Sequence, residues 1–217
     1  MDLATKQLYD KFICIMQSVY TKENLSTVPK KYYNLERLFS RFFVLLNYIT
    51  QQKRNLNKGL DFGCGCGVSV VLGRILGFDI TGLDVINNQY TKIQKALCDM
   101  GYPIVICDTN KFPWVMFIDD SFDFISAYSS IIMPPNFTEL LENYSKVVLM
   151  VPDIVNKYDK IPREPVPIER YKELIRITKP GGSWFVSPEW HLRMLPKEII
   201  SEINKKNIKS MFWDIAL

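Results

Sequence analysis

The feature that most constrains this chain is a glycine-rich stretch running from Gly59 to Gly67, with the sequence GLDFGCGCG. Leu60 and Phe62 are typical of the last positions of a short buried strand. Three glycines at every second position then let the backbone turn sharply and approach a ligand closely, because no Cβ stands in the way. The segment Val68 to Gly77 has the apolar pattern of a helix. The sequence therefore predicts a strand, a glycine loop and a helix N-terminus that offers free N–H groups to a polar ligand.

Elsewhere in the chain, apolar strand-like segments alternate with amphipathic helical segments. The predicted later strands are Phe78–Val85, Ile104–Asp108, a segment ending at Ser126, Ser183–Ser187 and Ile208–Leu217. Helices are expected over Leu3–Tyr20, Leu35–Gln51, the residues up to Met100, Ile168–Thr178 and Pro196–Asn207. This alternation predicts the α/β class: a Rossmann-like, doubly wound and mostly parallel sheet with helices on both faces and N-terminal cap helices.

We expect an N-terminal helical cap over residues 1–54 and one compact sheet domain over residues 55–217. The apolar stripe of the second helix has two interpretations. The helix packs on the sheet, or it forms a lid over a substrate pocket. We expect an acceptor pocket built from the N-terminal helices, the segment after Ala127 and the proline-rich connection, lined by aromatic residues such as Tyr32, Tyr33, Tyr128 and Trp190.

Acidic residues lie at the carboxyl ends of the second and third predicted strands. Asp84 lies about 20 residues beyond the first loop glycine, where such folds place a carboxylate on ribose hydroxyls. Its alternative role is a helix N-cap, because a helix is expected to begin at Asn87. Asp108 is either a ligand contact at the same sheet edge or a turn residue.

Composition limits the other functions. The net charge of +4 is small and the lysines are scattered, so there is no clear nucleic-acid signal. The odd number of five cysteines, without paired spacing, indicates reduced thiols and a cytoplasmic protein. Cys64 and Cys66 are too closely spaced for a zinc site, so no metal is expected. We see no signal peptide and no apolar run long enough to span a membrane.

An ordered set of motifs resembles the class I S-adenosylmethionine-dependent methyltransferases. It begins with an acid, Asp61, two residues ahead of the first of three glycines spaced by one residue. A dinucleotide fingerprint would instead place its third glycine at Val68. Asp84, the step Cys107-Asp108-Thr109, Ser121-Phe122-Asp123 and the turn Lys179-Pro180-Gly181-Gly182 follow in the order of that family. The match covers about residues 55–187.

The resemblance implies S-adenosylmethionine as the methyl donor. The glycine loop would lie against its methionine part, Asp84 at its ribose and Asp108 near its adenine. The candidate donor-binding residues are Asp61, Gly63, Cys64, Gly65, Gly67, Asp84, Val85, Cys107, Asp108, Thr109 and Ala127. Family members usually end with a hairpin of two strands, whereas only one candidate strand remains here.

The resemblance also implies an activity: in-line transfer of a methyl group to an unidentified small-molecule acceptor. Base or glutamine methylation is disfavoured, because Ala127-Tyr128-Ser129-Ser130 stands where such enzymes carry Asn-Pro-Pro-Tyr. The alternatives are a non-catalytic donor-binding or scaffold protein and a nicotinamide-dependent oxidoreductase. The oligomeric state is not indicated.

Two residues are candidates for acid–base catalysis. Tyr128 is the titratable group nearest the end of the fourth strand, and His191, the single histidine, follows the fifth. Histidine has a suitable unperturbed pKa to accept a proton near neutral pH. His191 is otherwise a surface histidine without a role, since transfer to an already nucleophilic acceptor needs no base.

Overall fold

The computed structural model describes residues 2–51, 56–86, 89–128, 168–187 and 195–212. Predictions that fall on residues 129–167, 188–194 and 213–217, including those for Trp190 and His191, lie outside these ranges. In the described ranges, no helix combines the length and the apolar character needed to cross a bilayer.

The described helices and strands alternate as the sequence predicts. The helices are α1 Leu3–Val19, α2 Leu35–Gln51, α3 Val68–Ile75, α4 Thr91–Asp99, α5 Ile168–Ile177 and α6 Lys197–Lys205. The strands are β1 Lys58–Phe62, β2 Asp79–Val85, β3 Ile104–Cys107, β4 Phe122–Tyr128, β5 Thr178–Ser187 and β6 Lys209–Phe212. Two short 3₁₀ segments, Asn24–Thr27 and Lys30–Tyr32, connect α1 to α2.

The strands form one six-stranded sheet in the order β3-β2-β1-β4-β5-β6, and every neighbouring pair is parallel. The chain winds outwards from β1 to β3 and then returns to place β4 beside the other edge of β1. This reversal defines a switch point between β1 and β4, outside which ligands bind in sheets of this class. The structure thus confirms the predicted fold class.

Each face of the sheet is covered by a separate apolar cluster, because alternate strand residues point to opposite faces. On one face, Phe124 and Phe185 pack with residues of α1, α2, α3 and α4. On the other face, Ile125 and Trp184 pack with residues of α5 and α6 and with Trp114. Helices therefore lie on both faces, and the N-terminal helices share a core with the sheet.

The turn Lys179–Gly182 differs from its prediction as the element that precedes the fifth strand. It is an irregularity inside β5, since Phe122 pairs with Thr178 while Phe124 already pairs with Ser183. Gly181 makes the bend in the left-handed region, with φ 73°. A Cβ on Gly182 would lie 2.9 Å from the Lys179 carbonyl oxygen, so this position requires a glycine.

One arginine fixes the segment that crosses from β3 to β4. The Arg176 guanidinium on α5 donates to the Trp114 carbonyl at 3.2 Å and to the Phe117 carbonyl at 3.0 Å. It also donates to Glu173 at 2.8 Å and to Asp119 at 2.6 Å. Glu173, which is buried, in turn accepts from the Trp114 amide at 2.8 Å. The segment that follows β3 is thereby held on the α5 face of the sheet.

We predict that Arg176→Met lowers the free energy of unfolding by about 2–4 kcal/mol, because it leaves the buried Glu173 carboxylate without its charged partner. Chemical denaturation at neutral pH measures the effect. Arg74→Met is the matched control, since Arg74 pairs with Asp79 at 2.8 Å on the surface and should cost at most about 1 kcal/mol. Equal losses in the two variants would contradict this assignment.

Candidate functional site

The candidate site lies where the carboxyl ends of four parallel strands meet. The register pairs Phe62 with Leu83 and with Ala127, and it pairs Val85 with Cys107. The residues that follow these strand ends therefore gather at one edge of the sheet, beside the switch point. Ala127, a predicted donor-binding residue, is fully buried inside this edge, whereas the predicted Val85 side chain is partly exposed there.

The loop between β1 and α3 follows a left-handed path at alternate residues. Gly63, Gly65 and Gly67 have φ values of 73°, 53° and 71°. The amides of Gly63 and Cys64 both donate to the Leu83 carbonyl, at 2.7 and 3.2 Å, so β2 anchors the start of the loop. Only glycine adopts this conformation at little cost, which explains the spacing of the motif.

Four of the five loop amides from Gly63 to Gly67 donate to partners within the protein. The Gly65 amide donates to Asp84 Oδ2 at 2.8 Å, and the Gly67 amide donates to the Cys64 carbonyl at 2.9 Å. The main donors toward a ligand are therefore the amides of the first turn of α3, which have no intrahelical partner. No side chain caps α3 at its N-cap, Gly67. The loop contributes shape, and the helix end contributes polarity.

The two loop cysteines are packing residues in this structure. Cys64 and Cys66 are buried, and a Cβ on Gly82 would lie 2.8 Å from the Cys64 sulfur. Burial raises the pKa of the Cys64 thiol, and it raises the pKa of Cys66 to about 12, so both stay protonated at neutral pH. Within the described ranges, no three His, Cys, Asp or Glu side chains are grouped as metal ligands.

Asp61 lies beneath the loop and is almost fully buried. Its carboxylate accepts hydrogen bonds from the hydroxyls of Ser69 on α3 and Ser126 on β4, the latter at 2.8 Å. Burial raises the pKa of Asp61 to about 6, an effect that the two hydroxyls reduce and that the nearby Asp84 carboxylate increases. This geometry makes Asp61 a tie between β1, α3 and β4 below the ligand edge.

Asp84, the penultimate residue of β2, carries a carboxylate that is largely buried and held by three donors. Oδ2 accepts from the Gly65 amide at 2.8 Å and from Gln94 Nε2 at 2.9 Å, and Oδ1 accepts from the Val85 amide at 2.8 Å. Burial raises the pKa of Asp84, and the three donors oppose that rise. A carboxylate offers about four lone-pair sites, so Oδ1 keeps room for one more donor.

The alternative role of Asp84 as a helix N-cap is wrong. The helix α4 begins at Thr91, its N-cap is Tyr90, and no side chain supplies the capping bond. The predicted start near Asn87 is therefore too early. Asp84 instead accepts from the Gly65 amide of the glycine loop.

The residues after β3 form a tight turn at the same edge. Asp108 Oδ1 accepts from the Asn110 amide at 3.1 Å, a geometry that fits the turn interpretation, while its side chain remains 41% exposed. Thr109 is buried and accepts from the Trp114 indole at 3.3 Å through its carbonyl. Burial raises the pKa of the partly buried Cys107 thiol, and the neighbouring Asp108 adds to that rise. Asp108 is thus placed by its own turn but still accessible.

Of the two acid–base candidates, only Tyr128 lies in the part of the chain that the structure describes. Tyr128 is the last residue of β4 and pairs with Ser187 at the ligand edge. His191 lies outside the described ranges.

Sequence reasoning missed two neighbours of the loop, Gln94 and Tyr90, both from the start of α4. Gln94 is fully buried and bonded to Asp84, and the Tyr90 ring lies within 4 Å of where a Gly65 Cβ would be. Tyr32 packs edge-on against Tyr90 at a centroid distance of 5.3 Å. A polar glutamine on the apolar stripe beside Ile93 and Leu97 was the available signal.

Comparisons with known proteins find similarity to solved structures only. No family model and no curated protein matches the chain. The chain is similar to the PH0226 protein from Pyrococcus horikoshii, at 19% identity over 76% of this chain and 59% of that one, with a TM-score of 0.43. It is similar to a SAM-dependent methyltransferase from Thermotoga maritima, at 15% identity over 75% and 58% of the two chains, with a TM-score of 0.41.

A third similar structure is the protein bound to the Trm112 methyltransferase activator in a Haloferax volcanii complex. The identity is 15% over 87% of this chain and 76% of that chain, and the TM-score is 0.45. The chain spans less than two thirds of the length of the Pyrococcus and Thermotoga proteins. The strand order and register, rather than these likenesses, define the fold and the ligand edge.

We predict that Asp61 gives folding a pH dependence that Asp61→Asn removes. A carboxyl with a raised native pKa stabilises the fold below its unfolded pKa, and this contribution is lost as the pH rises through the native value. Relative to Asp61→Asn, the wild type should lose on the order of 3 kcal/mol between about pH 4 and 6. Denaturation of both proteins across this range measures it.

Asp99→Asn controls for the general loss of one carboxylate, since Asp99 lies exposed at the end of α4. A constant difference between the wild type and Asp61→Asn at all pH values would contradict the assignment of a raised pKa to Asp61.

Proposed function

We propose that this chain is a methyltransferase that uses S-adenosylmethionine to methylate a small-molecule acceptor. The observation that carries the proposal is the loop between β1 and α3. Its three glycines are left-handed, and the loop is fastened to Asp84 at the switch point of a parallel sheet. This arrangement fits the order of motifs that resembles the class I methyltransferases.

The described residues fit a nucleoside that carries an amino-acid tail. The uncapped first turn of α3 suits a carboxylate, because helix N-termini favour negative charge. The remaining acceptor site on Asp84 Oδ1 suits a ribose hydroxyl. Asp108 remains exposed enough to accept from an adenine amino group. These three positions follow one edge of the sheet in the order that the resemblance implies.

The residues of this chain would act by binding and alignment. The donor, when bound, supplies an electrophilic methyl group on a sulfonium. The glycine loop and Asp84 would hold the donor body still, so that a nucleophile can be placed in line with the carbon–sulfur bond. Such positioning alone lowers the barrier substantially, because the reactants no longer lose translational freedom during the reaction.

Two other functions use the same fold. An oxidoreductase that binds a nicotinamide dinucleotide is disfavoured by Val68, which is buried at the position of the third fingerprint glycine. A non-catalytic scaffold that binds the donor but transfers nothing would share every contact above. Binding of the methyl donor distinguishes a methyltransferase from the oxidoreductase. Turnover with an acceptor distinguishes it from the scaffold.

We predict that the protein binds S-adenosylhomocysteine in isothermal calorimetry and does not bind NADH. Asp84→Asn should weaken this binding by about 10- to 100-fold, because an amide replaces a charged acceptor facing three donors. Asp79→Asn is the matched control, since Asp79 lies at the opposite end of β2 and is partly exposed. Absence of wild-type binding at millimolar ligand would overturn the proposed function.

For acid–base catalysis, we propose His191, with Tyr128 as the second candidate. In an assay with an identified acceptor, a general base should lose about 10²–10⁴-fold in rate when replaced, as in His191→Ala. Tyr128→Phe removes only the phenolic hydroxyl at the end of β4 and tests the second candidate in the same assay. Rates within a few-fold of wild type for both variants, with an unchanged pH profile, would assign the rate enhancement to positioning.

A further inference from the structure

One buried side chain joins the two parts of the candidate donor site. Gln94 projects from the first turns of α4 and is 0% exposed. Its Nε2 donates to the Gly65 carbonyl at 2.9 Å and to Asp84 Oδ2 at 2.9 Å. The Gly65 amide donates to the same Asp84 oxygen at 2.8 Å. The three groups therefore close a small ring of hydrogen bonds.

This ring fixes both peptide groups of the central loop glycine. Gly65 is left-handed, with φ 53°, and a change at this one residue would redirect the loop. Its N–H is held by Asp84 and its C=O by Gln94. Because α4 carries Gln94, the loop position is set by a third element besides β1 and β2.

We propose that Gln94 is a positioning residue for donor binding, which it serves by holding the Gly65 carbonyl and the Asp84 carboxylate in one fixed arrangement. This inference rests on the proposed function. It assigns a role in the site to a helix residue outside the motifs on which the resemblance depends. The ligand concerned is the S-adenosylmethionine donor of the proposed function.

Position 94 requires an uncharged side chain that donates two hydrogen bonds, one to the Gly65 carbonyl and one to Asp84. In the described part of the chain, the titratable groups that interact electrostatically with Asp84 are the Asp61 carboxyl from β1 and the Cys64 and Cys66 thiols from the loop. A second carboxylate at position 94 would repel Asp84 in a buried setting. An apolar side chain would leave the Gly65 carbonyl without its donor. The amide stabilises both acceptors and adds no charge.

A buried glutamine can also serve folding alone, by satisfying backbone groups. The two roles differ in one measurable respect. In Gln94→Glu, two carboxyl groups lie within hydrogen-bond distance, so they cannot both ionise cheaply. At lower pH they share a proton, and an O–H donor faces Asp84 again. Donor affinity of the folded variant then depends on pH in a way that a purely structural role does not produce.

The test measures S-adenosylhomocysteine affinity by calorimetry for wild type, Gln94→Glu, Gln94→Asn and the control Gln17→Glu. Gln17 is an exposed residue of α1 and gives the same chemical change without a loop contact. We expect Gln94→Glu to bind at least about tenfold more weakly than wild type near pH 8. The ratio of variant to wild-type Kd should fall steadily as the pH is lowered to about 5.5.

The Gln94→Asn variant covers the case in which Gln94→Glu fails to fold. Asparagine keeps the amide but is one methylene shorter, so it cannot reach both acceptors, and we expect about tenfold weaker binding. Thermal unfolding and circular dichroism establish that each variant is folded before its affinity is compared. Gln17→Glu should bind as wild type at every pH.

The outcomes are separable. Wild-type protein that binds no S-adenosylhomocysteine overturns the proposed function and this inference with it. Wild-type binding with unchanged affinity in folded Gln94→Asn, or with a pH-independent ratio in folded Gln94→Glu, overturns the positioning role alone. Weakened binding that recovers at lower pH supports it.

Discussion

The ligand edge of this protein depends on the attachment of the glycine loop to β2. The Leu83 carbonyl receives two loop amides, and the Asp84 carboxylate receives a third. Without these bonds, the loop would have no single favoured backbone conformation, because glycine adopts many conformations at similar cost. The neighbouring strand thus selects the conformation that glycine only allows. As a consequence, the amides of Gly63, Cys64 and Gly65 are not free to donate to a ligand.

Two carboxyl groups stand close together at the base of this site, and the structure surrounds them with neutral donors. Asp61 is held by two serine hydroxyls, and Asp84 by two amides of the backbone and one of a side chain. Hydrogen bonds to the charged form offset part of the desolvation of each. No compensating cation is placed here by the described residues.

The sequence predicted the parts of the site that depend on local rules. Glycine spacing and an acid at a strand end are sufficient to place the loop and Asp84, since strand ends in a parallel sheet share one edge. The start of α4 at Thr91 and the strand irregularity at Lys179–Gly182 were not predictable in the same way. Both depend on which partner a backbone group finds in three dimensions, and Gln94 is recognisable only once α4 lies beside the loop.

The N-terminal helices also pack against the elements that form the ligand edge. The α1 and α2 side chains share an apolar cluster with α3, and Tyr48 packs edge-on against Phe185 at a centroid distance of 6.3 Å. The Tyr20 hydroxyl contacts the buried Cys66 thiol, and Thr27 donates to the Gln89 carbonyl at 2.7 Å. These contacts join the N-terminal segment to the same loop and helix that form the candidate donor site. The boundary near residue 54 stays a prediction, but the packing makes α1 and α2 part of the support for the glycine loop, so changes in them are expected to reach the ligand edge.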